Sequence, residues 1–250
     1  MSTLLLLDTS SLAYRAVHAV GPDKSARVFV SMVQSLIGTY RPQGLLFAKD
    51  TKREDLERSK VFPEYKAGRS HDPNISFGVR EIESRLESCN APILSVPGAE
   101  ADDVLASAAH VLDKIYDLII LVSEDKDLCQ VVRPNVRLHK GNKLHDEAAV
   151  LERWLVSARQ IPEVQALCGD AADNIPGLDG VGPKTAAKLV NRFGSLEAVV
   201  ANRSILSSSL SAQLELFPWK RNLKLTTLRT DLPLPIRLSK IEQSLNWNRF

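Results

Sequence analysis

Nine carboxylates stand where an apolar run ends or a helix is expected to begin: Asp8, Asp50, Glu100, Asp102, Asp103, Asp125, Asp127, Asp170 and Asp173. A single aspartate after an apolar run is commonly a helix cap or a surface residue. Repetition in five clusters along one chain argues for convergence instead. Brought together as anions these groups repel, and a divalent cation that prefers oxygen ligands offsets the repulsion. Magnesium or manganese suits that chemistry. Two such ions can lower the pKa of a bound water, set it in line with phosphorus and neutralise charge on the attacked and leaving oxygens. Water is then the nucleophile. In Asp125-Lys126-Asp127 extended backbone would turn both acids one way, and a helical segment would put Asp170 and Asp173 on one face. An ordinary acidic surface is the competing reading.

Positioning these acids requires strands that end beside one another. Residues 4–7 (LLLL) and 44–48 (GLLFA) are fully apolar, read as buried strands, and are each followed almost at once by aspartate. Between them Val28, Met32, Leu36 and Ile37 fall near helical spacing, which predicts a crossover helix within 25–40. A third run, DLIILV, ends at Val122, and the alanine-rich segment 102–114 predicts a helix that starts inside the Glu100, Asp102, Asp103 cluster. The recurring order of strand, acid and helix predicts an α/β fold, a mostly parallel central sheet flanked by helices, with functional groups along one edge. Residues 51–74 interrupt the rhythm as an excursion beside the sheet, with seven basic side chains between Lys49 and Arg69. From about Val150 onward the chain reads as helical, and 169–189 is its clearest turn-to-helix passage.

The 250 residues, 44% apolar and 25% charged, are enough for a sizeable core and exclude a small scaffold that depends on staples. A net charge of +2 announces no partner in bulk, so any nucleic-acid footprint has to come from local charge. Cys89, Cys129 and Cys168 are odd in number and far apart, which favours reduced packing residues and a cytoplasmic setting. No stretch approaches membrane-span length, and Asp8 interrupts the first apolar run with no basic leader before it, so neither secretion nor a membrane partner is expected. The histidines offer no compact metal spacing, and Trp154, Trp219 and Trp247 read as packing residues.

Several long motifs stand in order: LLLLDTSSLAYRA at 4–16, RSKVFPEYKAGR at 58–69, EADD at 100–103, SEDKDLCQ at 123–130 and GDAADNIPGLDGVGPKTAAKL at 169–189. Together they closely resemble the 5′-3′ exonuclease and flap endonuclease superfamily. Its nearest kin would be the standalone bacterial and phage enzymes and the nuclease domain of bacterial DNA polymerase I. The resemblance implies a PIN-like nuclease core over 1–150, including a helical arch at 51–75. It implies a helical lobe over 151–250 that carries a helix-two-turn-helix and completes the metal site. It further implies two-metal hydrolysis of DNA near a 5′ end or at a flap junction, with Asp8, Asp50, Glu100, Asp102 and Asp103 at the tighter site. Asp125 and Asp127 would complete the shared centre, and Asp170 and Asp173 would build the second position. Without a polymerase-sized extension the chain resembles a standalone nuclease, and a monomer suffices for the site.

Basic residues supply what an acidic pocket lacks. Lys66 is placed to reach the scissile phosphate, Arg58 to anchor the 5′ strand and Arg69 to extend the clamp, while Tyr65 is open to base stacking or to core packing. Glycines 177, 180 and 182 allow backbone amides to approach phosphate, and Lys184, Lys188 and Arg192 recur every four residues on one helix face. By resemblance this element holds branched or 5′-ended duplex DNA through its backbone, with a potassium ion on the turn carbonyls. It is not a P-loop, whose GxxxxGK[ST] register is absent. Glu57 stands where the family motif has phenylalanine, and two alternatives remain open: a noncatalytic branched-DNA-binding protein and an RNase H-like nuclease.

Overall fold

The computed structural model describes residues 1–68 and 72–243. Six strands form one sheet in the order β3-β2-β1-β4-β5-β6: β1 (Thr3–Asp8), β2 (Gly44–Ala48), β3 (Ile93–Leu94), β4 (Leu118–Val122), β5 (Val136–Lys140) and β6 (Lys143–His145). All neighbours are parallel except the β5–β6 hairpin. This is the α/β arrangement expected from the apolar runs.

Every residue of β1, β2 and β4 is buried, because both faces of the sheet are covered and a continuous apolar run is the pattern such a strand needs. Side chains alternate between the two faces. Leu5, Leu7, Leu45, Phe47 and Ile120 join the core under α1 (Thr9–Val20), α2 (Pro22–Tyr40) and, after the short α3 (Glu57–Val61), α4 (Pro73–Ser88). Leu4, Leu6, Leu46, Ile119 and Leu121 belong to the core on the other face, beneath α5 (Ala101–Leu112). That second core continues without a break into the carboxyl-terminal helices.

Those helices are α6 (Glu147–Trp154), α7 (Ile161–Cys168), α8 (Pro183–Phe193), α9 (Leu196–Ala201), α10 (Ser208–Leu216), α11 (Trp219–Thr226) and α12 (Leu238–Gln243). Ala186, Ala187, Val190, Leu196 and Leu214 are buried in the same cluster as Leu4 and Leu6. The chain finally returns to the sheet at α12. A Cβ on Gly44 would stand 2.5 Å from the Ile241 side chain, so this close approach needs glycine.

The register decides where chemistry can gather. Asp8 pairs with Ala48, and Leu7 pairs with Val122, so β1, β2 and β4 end side by side. The chain runs outward from β1 through β2 and β3, then crosses to β4 on the other flank. The β1/β4 boundary is therefore a topological switch point, where an open parallel sheet leaves a crevice at its carboxyl edge. Asp8 ends β1 at that edge, and Asp50 and the 123–127 loop follow β2 and β4 there.

Candidate active site

Asp8 closes β1 and caps α1: its Oδ1 accepts the Ser11 amide at 2.9 Å and its Oδ2 accepts the Ser123 hydroxyl at 2.7 Å. Burial, together with the Asp50 and Asp125 charges, pushes its carboxyl up to about 7 despite those bonds. Asp50 is exposed and accepts the Ala101 amide at 2.8 Å, which fixes the start of α5 against the end of β2. Asp102 sits in the first turn of that helix. Its Oδ1 is withdrawn from solvent with no hydrogen-bond partner, and burial with Asp125, Asp8 and Asp50 holds the carboxyl well above the usual range.

After β4 the chain turns through Ser123 to Asp127. The expectation of extended backbone here is corrected: Lys126 is α-helical in conformation and Asp127 opens a short 3-10 turn. The Asp127 amide donates to Asp125 Oδ1 at 2.8 Å, which folds the two acids back on one another. Burial, and then Asp125, push the Asp127 carboxyl to about 7, while a bond from Gln165 pulls the other way. Asp170 caps a 3-10 turn that ends at Asp173, and both acids are buried. A three-residue repeat keeps them on one side.

Two adjoining cavities result. One is lined by Lys66, Glu100, Asp102, Asp125, Asp127 and Asp173, the other by Asp125, Lys126, Asp127, Asp170, Asp173 and Arg153. Asp125, Asp127 and Asp173 face both. Protein cations already occupy part of this anionic surface: Lys66 pairs with Glu100 and lies 3.8 Å from Asp173, and Lys126 pairs with Asp170 at 2.6 Å. Among the described residues no three His, Cys, Asp or Glu side chains form a finished cage. The oxygen-only donors, the orphaned Asp102 oxygen and the proton affinity of Asp8, Asp102 and Asp127 nevertheless fit a hard divalent cation.

Glu100 differs from its neighbours. Burial opposes its ionisation, but Lys66, Arg58 and the Tyr65 hydroxyl outweigh it and hold its carboxyl below the usual range. Asp103 differs more. Arg58 Nη1 and Nη2 bond its two oxygens at 2.5 and 2.8 Å, and the Arg229 amide adds a third bond.

The shift at Asp127 carries a measurable consequence. Folded, its carboxyl keeps a proton to about pH 7, whereas the unfolded reference releases it near 3.8. Between those values the folded state binds more protons, so without divalent ions stability falls as pH rises. In EDTA, urea unfolding at pH 5 and pH 8 should show a smaller drop for Asp127→Asn than for the wild type. Equal drops would remove the raised carboxyl.

Residues 3–155 match the amino-terminal, resolvase-like domain of 5′-3′ exonucleases, and residues 156–248 match the carboxyl-terminal SAM fold of the same enzymes. The chain belongs to the 5′-3′ exonuclease family. It is 35% identical over 215 residues to the 5′-3′ exonuclease of Aquifex aeolicus, covering 81% of this chain and 73% of that protein. It is 34% identical over 253 residues to DNA polymerase I of Mycobacterium bovis and 32% identical over 248 residues to the thermostable DNA polymerase I of Thermus aquaticus. These matches cover 93% and 95% of this chain but only 28% and 30% of those polymerases. A T5 5′-exonuclease structure with bound zinc is 25% identical, with a TM-score of 0.78 and coverage of 91% of this chain and 90% of that one. The DNA-bound catalytic core of Rad2, at 18% identity and a TM-score of 0.59, covers 93% of this chain and 81% of its own and shares the fold.

Within this exonuclease-family chain Arg58 and Asp103 sit otherwise than expected, and Tyr65 takes the packing alternative. All five Arg58 N–H groups are engaged, by Glu100, Asp103 and the carbonyls of Leu225 and Thr227. Arg58 is thus a buried crosslink and has no donor left to hold a 5′ strand, and Asp103 is its counter-ion and not a ligand facing the cavities. Tyr65 packs with Leu56, Ile175 and Leu225 and bonds Glu100 and Asp173 through its hydroxyl, so its ring offers no face to a base. Gly177 lies against backbone: a Cβ there would meet the Cys168 carbonyl carbon at 2.2 Å, so the close packing of these two segments itself requires glycine.

Lys184, Lys188 and Arg192 do line the exposed face of α8, while Ala186, Ala187, Leu189 and Val190 are buried behind them. Gly182 caps that helix with open space around it, and Gly180 takes φ +74°, a turn conformation that favours glycine. Arg69 and Trp247 lie outside the described residues. Ser123 and Gln165 were missed as site residues. Ser123 stands inside the SEDKD motif, and Gln165 is a polar residue on an apolar helix, five residues before Asp170.

Proposed function

We propose that this chain is a structure-selective nuclease that hydrolyses DNA phosphodiester bonds at 5′ flaps and from 5′ ends, dependent on divalent cations. The observation that carries this reading is the pair of adjoining cavities sharing Asp125, Asp127 and Asp173. Asp8, Asp50, Glu100 and Asp102 support the first position, and Asp170 supports the second. When bound, two magnesium or manganese ions supply an activated water and a positive clamp on the phosphate under attack. The protein's own groups do the rest. Asp125 and Asp127 hold both positions in one frame, Ser123 orients Asp8, and Lys66 offers an ammonium at the cavity wall for a phosphate oxygen. No histidine or serine nucleophile is required.

In this reading 1–150 is a PIN-like catalytic core, 51–75 contributes the arch, and 151–250 is the DNA-binding lobe. The 177–182 turns and α8 act as a helix-two-turn-helix. The open helix start and its lysines contact phosphates, with turn carbonyls available to a potassium ion. Recognition therefore follows duplex shape more than sequence. Among the described residues no helix is long and apolar enough to cross a membrane.

The test compares 5′-flap, nicked, blunt-duplex and RNA–DNA substrates in Mg²⁺, Mn²⁺ or EDTA, with binding measured separately. Cleavage at the flap junction in Mg²⁺ or Mn²⁺ and none in EDTA is expected. Folded protein that binds DNA yet cleaves none of the substrates would replace the enzyme with a binding protein. Lys184→Ala should weaken binding across sequences alike and reduce the salt slope by about one. An unchanged salt titration would take Lys184 out of the footprint.

A further inference from the structure

We propose that Gln165 is a positioning residue that locks Asp127 and Asp170 toward a common divalent cation, an inference that rests on the two-cation reading of the site. Gln165 is 2% exposed on α7, among Ile161, Val164, Ala166 and Leu167, where an unbonded amide would be costly. Its Nε2 donates to Asp127 Oδ1 at 2.6 Å and to Asp170 Oδ2 at 3.3 Å. Those acids come from different parts of the chain: Asp127 follows β4, and Asp170 follows α7. One amide therefore joins the two sides of the second cavity.

The orientation of that amide is itself determined. Gln165 Oε1 accepts from Gln130 Nε2 at 3.3 Å, and Gln130 donates to the Thr226 carbonyl and accepts the Leu228 amide. Turning Gln165 over would aim its carbonyl at two carboxylates and its NH₂ at a donor. The Gln130 bonds oppose this, so the donors stay on the acid side. Donors on Asp127 Oδ1 and Asp170 Oδ2 fix the rotation of each carboxylate, as outer partners of metal ligands do. Gln165 itself touches no reacting atom.

The test uses Gln165→Met, close in length but without a donor, and Gln130→Met, which keeps the Gln165 donors but frees their direction. Calorimetric Mn²⁺ titration of the wild type should resolve two classes of site. Gln165→Met should weaken the site between Asp127 and Asp170 by about tenfold and the other, which shares only Asp127 with it, by much less, and Gln130→Met should weaken the first by a smaller factor. On an Asp170→Asn background Gln165→Met should cost less at that site than it does in the wild type, because only its hold on Asp127 is left to lose, which separates positioning from general damage to the fold. Cleavage by Gln165→Met should recover as Mn²⁺ is raised, with KM for flap DNA unchanged. Wild-type affinities in both variants, or equal losses at both sites, overturn the proposal. A wild type that binds no pair of Mn²⁺ ions overturns the two-cation reading beneath it.

Discussion

Asp125→Asn and Asp170→Asn, made separately, are expected to lower single-turnover cleavage of flap DNA by at least about a hundredfold, close to 3 kcal/mol of barrier at 1.36 kcal/mol per tenfold. Affinity for the same DNA in EDTA should stay within about twofold of wild type. Asparagine keeps the local fold: Asp125 Oδ1 accepts the Asp127 amide and Asp170 Oδ1 accepts the Ala172 amide, and a side-chain carbonyl can accept both bonds. What is lost is the charge that faces the cavities. The two variants should also differ. Asp125 lines both cavities, whereas Asp170 lines only one. Raising Mn²⁺ should recover part of the Asp170→Asn deficit by mass action and little of the Asp125→Asn deficit. Wild-type turnover in both variants would dismiss the carboxylate centre, whatever the DNA binding shows.

The acids were readable because the strands before them are buried on both faces. LLLL and LIILV leave no polar alternation to confuse the pattern, so the first aspartate after each run marks the sheet edge. The helix of 102–114 was readable for a similar reason, and the structure starts it at Ala101 with Glu100 as cap. Other elements carried weaker signals. β3 has two residues, and β5 and β6 mix Arg, His and Lys into a hairpin at the sheet edge, where burial no longer dictates an apolar run. Arg58 illustrates a deeper limit. Its partner Asp103 is 45 positions away and Leu225 is 167 away, so only the folded chain distinguishes a guanidinium aimed at DNA from one sealed inside. Gln165 had a local sign, a lone amide on an apolar helix, but its two acceptors exist as a pair only once α7 meets the 123–127 loop.

Arg58→Met gives the largest expected effect on the fold itself. The guanidinium lies between buried Glu100 and Asp103, which are 6% and 0% exposed, and it also satisfies two carbonyls near the end of α11. Burial opposes its charge, but the Asp103 bonds and the Asp103 and Glu100 charges reverse that and push it above the usual arginine range. Removing one partner of such a pair leaves uncompensated buried charge, a loss of about 3–5 kcal/mol, which is large against a total stability of roughly 5–15 kcal/mol. Thermal unfolding should fall by about 10 °C. Arg58→Lys keeps a charge but cannot reproduce five planar donors, and should recover only part of the loss. Adding Asp103→Asn to Arg58→Met should restore stability relative to Arg58→Met alone, because the orphaned charge is then gone. A DNA anchor predicts the reverse pattern: Arg58→Met would melt like wild type and lose affinity for 5′-ended DNA, and Asp103→Asn would rescue nothing. Measured on one set of proteins, melting and DNA affinity thus separate a crosslink that holds α3 and α11 to the start of α5 from a side chain that meets the substrate.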